Sequence, residues 1–314
     1  MKAAAYSPRH FFSLISAIAI SVVAFGSPAG GQTENKGEVK TISLGLVSEI
    51  NRSSIEDNFR DFTRYVARKL SSTSALEGKI VIAPTPFQLV KLLEQKRVDF
   101  YMDSPYPTYM VNYVHGAGKS LLRRWKSGVA EYQSFIFARR HGGINRLEDL
   151  RGHTIVFEDP SSTSGYLLPR FFLLRGGFKL IEKARFDPHA SGTEVRYLFA
   201  YSQDRLVDLV LSRQAESGAF SSDDFAALDD KKKADLVVLA ETERLPRHLV
   251  SVRRDLDPAL AGRIEKVLLA MHEDEEGRRI LRKTDGTTKF DLLPGGEAAV
   301  HRRLSEAFST GVKK

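Results

Sequence analysis

The residues best suited to chemistry are Ser162, Thr163 and Ser164, within Asp159-Pro-Ser-Ser-Thr-Ser-Gly-Tyr166. The apolar run Thr154 to Phe157 ahead of them reads as a strand, and the run from Leu167 to Leu174 behind them reads as a helix. A strand that opens through a hydroxyl-rich, Gly-containing turn into a helix aims side-chain O–H groups and backbone N–H groups at one point. That arrangement suits a small oxyanion held without reaction, with the amide of Gly165 among the donors. The alternative is that the hydroxyls only cap the helix, since Ser and Thr are preferred there in any case.

The elements that must position this turn are legible on both sides of it. Residues 41–47 alternate as a first strand, and Phe59, Phe62, Val66 and Leu70 share one face of the helix that follows, which a Ser53-x-x-Glu56 capping box would start. Strands are expected at 79–83 and 98–102, separated by a helix that Thr85-Pro86 begins, and Ser104-Pro105-Tyr106 turns into the next helix. This alternation argues for an α/β fold with right-handed parallel crossovers. After a basic loop comes one long strand at 131–138, then the strand at 154 and a helix whose Pro169 should make its first turn irregular. A helix capped by Ser202, a strand near 236–239, another at 247–253, a helix begun by Asp257-Pro258 and a last helix at 297–308 complete the pattern. The acidic run 273–276 reads as a solvated helix face.

Two such units suggest two lobes. Residues 38–132 and 247–314 would form a discontinuous first lobe and residues 133–246 the second, with crossings near 131–134 and 243–247. Two lobes joined by two crossing segments make a cleft that can close on a ligand, and ligands of open α/β sheets bind at the carboxyl ends of the strands.

Composition excludes several functions. At 314 residues, 42% hydrophobic and 27% charged, the chain is ordinary for a globular protein of about two domains. Lys2, Arg9 and the apolar run 11–25, followed by Ser27-Pro28-Ala29, read as a secretory signal peptide over 1–29, cleaved near Ala29; a retained anchor is the alternative. With no cysteine there is no lipobox, disulfide or thiolate chemistry, which favours a free periplasmic protein. The net charge of +8 becomes +6 without Lys2 and Arg9; its basic residues are dispersed, and export argues against nucleic acid. The eight histidines show no metal-ligand spacing, and no nucleophile elbow or Walker loop is present, so neither metal nor cofactor nor catalysis is expected.

Asp149-Leu-Arg-Gly152 and Glu158-Asp-Pro-x-Ser-Thr-Ser-Gly-Tyr-Leu-x-Pro169 resemble the signature of the phosphate/phosphite/phosphonate transporter substrate-binding family. Val98-Asp-Phe100 with Ser104-Pro105 and Tyr109, Tyr132-Gln-Ser134, Leu245-Pro246, Arg253-x-Asp-Leu256 and Thr288-Lys-Phe290 extend the resemblance over roughly 41–300. It implies a two-lobed type II periplasmic binding fold that clamps a phosphorus oxyanion and delivers it, as a monomer, to an ABC importer's permease. The other reading is a sensor of the same fold that presents its closed form to a membrane receptor or kinase. Carried onto this chain, Ser162, Thr163 and Ser164 become second-lobe donors, Ser134 and Tyr132 lie at the first crossing, and Ser104 and Tyr106 face them from the first lobe. Many relatives have Gly-Ser-His-Asp where this chain has Tyr201-Ser-Gln-Asp204, so Gln203 replaces an imidazole; Glu216 is the nearest counterpart of the acid that often follows.

Overall fold

A computed structural model describes residues 40–48, 52–71, 76–183 and 192–309. The expected leader lies outside these residues. No helix among the described residues is long and apolar enough to cross a membrane.

The chain enters through strand β1 (Lys40–Val47), helix α1 (Arg52–Leu70), β2 (Leu76–Ala83), α2 (Pro86–Glu94) and β3 (Phe100–Asp103). β2 and β3 both pair in parallel with β1, as the alternation predicts. Helix α1 buries Phe59, Phe62, Val66 and Leu70 against the sheet, although it starts at Arg52, so Ser53 lies inside it and does not cap it. Thr85 accepts from the Gln88 N–H and caps α2. After β3 the chain forms α3 (Pro105–Tyr109), which continues as a π-helical turn through Val114.

The expected basic loop is instead a strand, β4 (Gly118–Lys126), lying between two others in the first sheet. Its pattern is misleading because the inward-facing Arg124 is only 2% exposed. That side chain satisfies itself on Thr287 Oγ1 at 2.7 Å and on Asp285 Oδ2 at 3.1 Å, as a buried cation must. The long strand expected at 131–138 is also two elements, β5 (Glu131–Tyr132) and β6 (Ser134–Arg139), which pair in different sheets on either side of Gln133.

The second lobe follows with β7 (Thr154–Phe157), a π-helical turn at Thr163–Leu167 running into α4 (Leu168–Arg175), β8 (Leu180–Glu182), β9 (Val195–Phe199), α5 (Gln203–Leu211), β10 (Ser217–Ser221), α6 (Ser222–Ala227), α7 (Asp230–Ala234) and β11 (Leu236–Glu241). The widened turn before Pro169 is the irregular first turn that proline imposes. The sheet order is β11-β6-β10-β7-β9-β8, and the strands from β10 to β8 are parallel.

The chain returns through β12 (Leu245–Pro246), β13 (His248–Arg253), α8 (Pro258–Ala270), α9 (Glu275–Lys283), β14 (Thr287–Leu292) and α10 (Gly296–Phe308). β13 and β14 complete a first sheet of order β14-β4-β13-β3-β1-β2. The acidic run ahead of α9 is not merely solvated. Asp274 caps the helix and accepts from the Tyr65 hydroxyl at 2.6 Å.

The two crossings pair with each other. β5 and β12 form a two-stranded antiparallel ribbon, with Tyr132 opposite Leu245. Helix α10 braces it. Arg303 bonds Glu131 at 2.8 Å and the Arg244 carbonyl at 2.6 Å, while Leu304 and Phe308 pack with Leu168 of α4, Leu245 and Leu249 in one cluster.

Candidate functional site

The carboxyl ends of β3 and β7 and the neighbouring ends of β4 and β10 converge beside the ribbon. A cavity of about 490 Å³ lies there between the two sheets. The turn after β3 and the turn after β7 touch across it: Ser104 Oγ lies 2.9 Å from Thr163 Oγ1, which also accepts from the Tyr106 N–H at 3.3 Å.

Of the residues expected to bind ligand, Ser162, Thr163, Ser164, Tyr132, Ser104 and Gln203 line this cavity. Their hydroxyls are not equally free. Ser162 Oγ accepts from the Gly165 N–H at 2.9 Å and donates to Glu158 Oε2 at 2.7 Å, so the capping role expected as an alternative is the one it performs. Burial pushes the Tyr132 hydroxyl up to about 12, against the nearby Arg247 charge first and then the hydroxyls of Thr163 and Ser164. Gln203 lies near enough to Glu158 to hold its pKa down slightly against the effect of burial.

Four expectations are corrected. Glu216 is at the opposite end of the second sheet, where Oε2 accepts from the Thr154 N–H at 2.9 Å. A carboxylate at the start of β10 cannot reach a cavity at its end. Ser134 is fully buried and its hydroxyl is taken by the Ser164 carbonyl, which makes it a support of the turn. The Tyr106 ring stacks against Phe171 and Phe308, and only its backbone faces the contact. Gly165 is buried behind the turn. A Cβ there would overlap the Glu158 side chain and approach Ser162 Oγ to 2.8 Å, so glycine is required for close approach, not as a donor to the cavity.

Charged residues that sequence reasoning did not assign also line the cavity, and they are segregated. Lys126, Arg247 and His248 come from the first-sheet side, whereas Glu158, Asp159, Asp223 and Asp224 come from the second. Arg247 bridges the walls, bonding Asp223 at 2.9 Å with its guanidinium 4.4 Å from the Tyr132 ring centre. Lys126 pairs with Asp285 at 2.9 Å. Burial raises the Glu158 pKa, against the bond from Ser162 and the nearby Gln203 and with help from the Asp159 and Asp224 charges. Burial also raises Asp103, at the end of β3, to about 7, although the Ser104 N–H donates to its Oδ1 at 2.7 Å. Its Oδ2 is sealed from solvent without a partner. His248 is pushed well below the usual imidazole range, first by burial and then by Arg124, Arg247 and Lys126.

One signal for these residues was present. Ser221-Ser-Asp-Asp224 follows β10 as a second hydroxyl-capped strand-to-helix turn, in which Ser221 accepts from the Asp224 N–H. Lys126 and Ser127 could not be found without first recognising β4. No group of three or more His, Asp or Glu side chains able to hold a metal ion occurs among the described residues.

The family described as the ABC transporter, phosphonate, periplasmic substrate-binding protein matches residues 44–293, which is most of the chain. This protein belongs to that family.

As a phosphonate-transporter substrate-binding protein it has solved structures to compare with. XAC2383 from Xanthomonas citri, solved with chloride, is 27% identical with a TM-score of 0.77, covering 86% of this chain and 96% of that one. The same protein bound to ATP gives 28% and 0.75 over the same coverage. PhnD1 from Prochlorococcus marinus, in complex with methylphosphonate, is 16% identical at a TM-score of 0.60, over 86% of this chain and 97% of that one; it shares the fold. These neighbours have the type II periplasmic binding architecture. Among curated proteins, the phosphate-import protein PhnD of Mycolicibacterium smegmatis is 28% identical over 156 residues, 48% of this chain. The match spans about half the length of that relative, 47%.

Proposed function

We propose that this substrate-binding protein captures a small phosphorus oxyanion, a phosphonate, phosphite or phosphate, in the cavity between its lobes and delivers it to an ABC importer. The observation that carries this reading is the contact of Ser104 with Thr163 across a cavity also lined by Lys126 and Arg247. Donors from both lobes meet where an oxyanion would be shielded from water, which strengthens charge-assisted hydrogen bonds. Residues 38–132 with 247–314 would be one lobe and 133–246 the other, each closing as a body about the β5–β12 ribbon. Export to the periplasm through the leader, action as a monomer, and handover to a membrane permease belong to the same proposal.

The carboxylates of the second wall narrow the ligand. A simple dianion between Glu158, Asp159, Asp223 and Asp224 would meet like charge, whereas a phosphonate carrying an ammonium group would turn its anionic end to Lys126 and Arg247 and its cationic end to the acids. Calorimetry and thermal shift with phosphate, phosphite, methylphosphonate, aminoethylphosphonate and sulfate test this. Aminoethylphosphonate should bind most tightly and raise the melting temperature by mass action. No response from any member overturns the oxyanion reading.

A further inference from the structure

His248 is the cavity-lining residue whose chemistry is least accounted for. It opens β13, directly opposite Arg124 of β4, and its half-buried ring faces the cavity. Nδ1 is sealed from solvent with no hydrogen-bond partner. Neither ring nitrogen bonds a described residue, and Nε2, unlike Nδ1, is not sealed off. The charged groups around the ring are Arg124 and Lys126 of β4, Asp285, which pairs with both of them, and Arg247, which pairs with Asp223. Loss of solvent at this position, first, and then the three cations disfavour the charged imidazole; a neutral ring has one N–H to give and one bare nitrogen.

We propose that His248 is a ligand-contacting specificity residue, donating Nε2–H to the oxyanion end of the ligand on the first-lobe wall beside Lys126 and Arg247. The inference rests on the proposed function and adds a residue and a selection rule to it. With the proton on Nε2, the bare nitrogen is the sealed Nδ1, and the proton points where an anionic oxygen gains most from it. A ring whose only exposed polar atom is a donor offers nothing to a P–OH at that position, so it selects the unprotonated oxygen. Because the donor is neutral, it does so without adding charge to a wall whose cations are already paired.

Two substitutions separate this from a packing role. His248→Gln retains an amide N–H near the Nε2 position, while His248→Leu fills the space without a donor. Calorimetry with methylphosphonate and aminoethylphosphonate should show binding weakened about tenfold or more for the Leu variant and within about threefold of wild type for Gln. In the wild-type protein labelled with 15N-histidine, the His248 ring should remain neutral through pH 6.5, the ordinary imidazole midpoint, and its Nε2 resonance should move on addition of methylphosphonate. If the probes bind the wild type and the Leu variant alike and the resonance does not move, His248 does not contact the ligand and the proposed function stands. If no member of the phosphate, phosphite, methylphosphonate, aminoethylphosphonate and sulfate panel binds the wild type, the proposed function falls and this inference with it. Should the Leu variant fail to fold, the wild-type resonance decides alone.

Discussion

The turns after β3 and after β7 are built from the same parts and use them differently. Each has a half-buried carboxyl at or just past the strand end with a raised pKa, Asp103 in one and Glu158 in the other, and each carboxyl is bonded by a following serine. Each turn also leads into a helical stretch with a π-helical turn, after α3 in one and ahead of α4 in the other. In the β7 turn the network closes on itself: Glu158 accepts from Ser162, and Ser162 accepts from the Gly165 N–H at the start of its own helix. In the β3 turn Ser104 caps nothing with its side chain; its hydroxyl lies 3.3 Å from Asp103 Oδ1 in its own turn and 2.9 Å from Thr163 Oγ1 of the other lobe. The serine of one turn is engaged wholly within that turn, while the serine of the other is shared with the opposite side.

The largest test of the comparison is Gly165→Val. Its side chain would overlap Glu158 inside the self-contained turn and should cost about 4 kcal/mol or more of folding stability by chemical denaturation. A cost below about 1 kcal/mol would mean the turn is not closely built. Next is the pH dependence set by Asp103. An unfolded aspartate ionises near ~3.9, whereas folding raises this one to about 7. The folded state therefore holds the proton more tightly, and stability is greatest at low pH. This contribution falls as pH rises between about 4 and 7 and is level above that, a change of about 2–4 kcal/mol. Asp103→Asn should flatten that part of the melting-temperature profile; an unchanged slope would show that Asp103 is not its source.

Thr163→Ala removes the side chain on which both turns converge. It should weaken binding of aminoethylphosphonate by about 1–3 kcal/mol and leave the unfolding midpoint nearly unchanged; equal affinities by calorimetry would remove Thr163 from the site. The smallest effects should still differ in sign of meaning. Ser162→Ala loses a helix cap and should cost about 1 kcal/mol of stability, whereas Ser104→Ala should cost about 0.5 kcal/mol, its main effect falling on ligand affinity. Equal stability losses from the two would erase the distinction between the turns.

Much of this was legible in sequence because it is local. Alternating apolar residues located β1 and a short apolar run located β7, the spacing of Phe59, Phe62 and Val66 marked the buried face of α1, and Pro169 marked the irregular turn at 163–167. Local patterns misled where a neighbour distant in sequence supplied the compensation. Arg124 hides a central strand because Thr287 and Asp285, some 160 residues away, satisfy its guanidinium. Glu216 was placed by analogy of spacing, and the direction of β10 put it at the wrong end of the sheet.

The sequence by itself therefore determined the α/β alternation, the two crossings and the hydroxyl-rich turn, each of which follows from propensity and periodicity within a few residues. Only the tertiary structure decided which of those hydroxyls are already engaged, that Ser104 meets Thr163, and that cations line one wall of the cavity and carboxylates the other. Those are pairwise distances between segments that can lie more than a hundred residues apart. Coulombic and hydrogen-bond energies depend on such distances, and no local pattern encodes them.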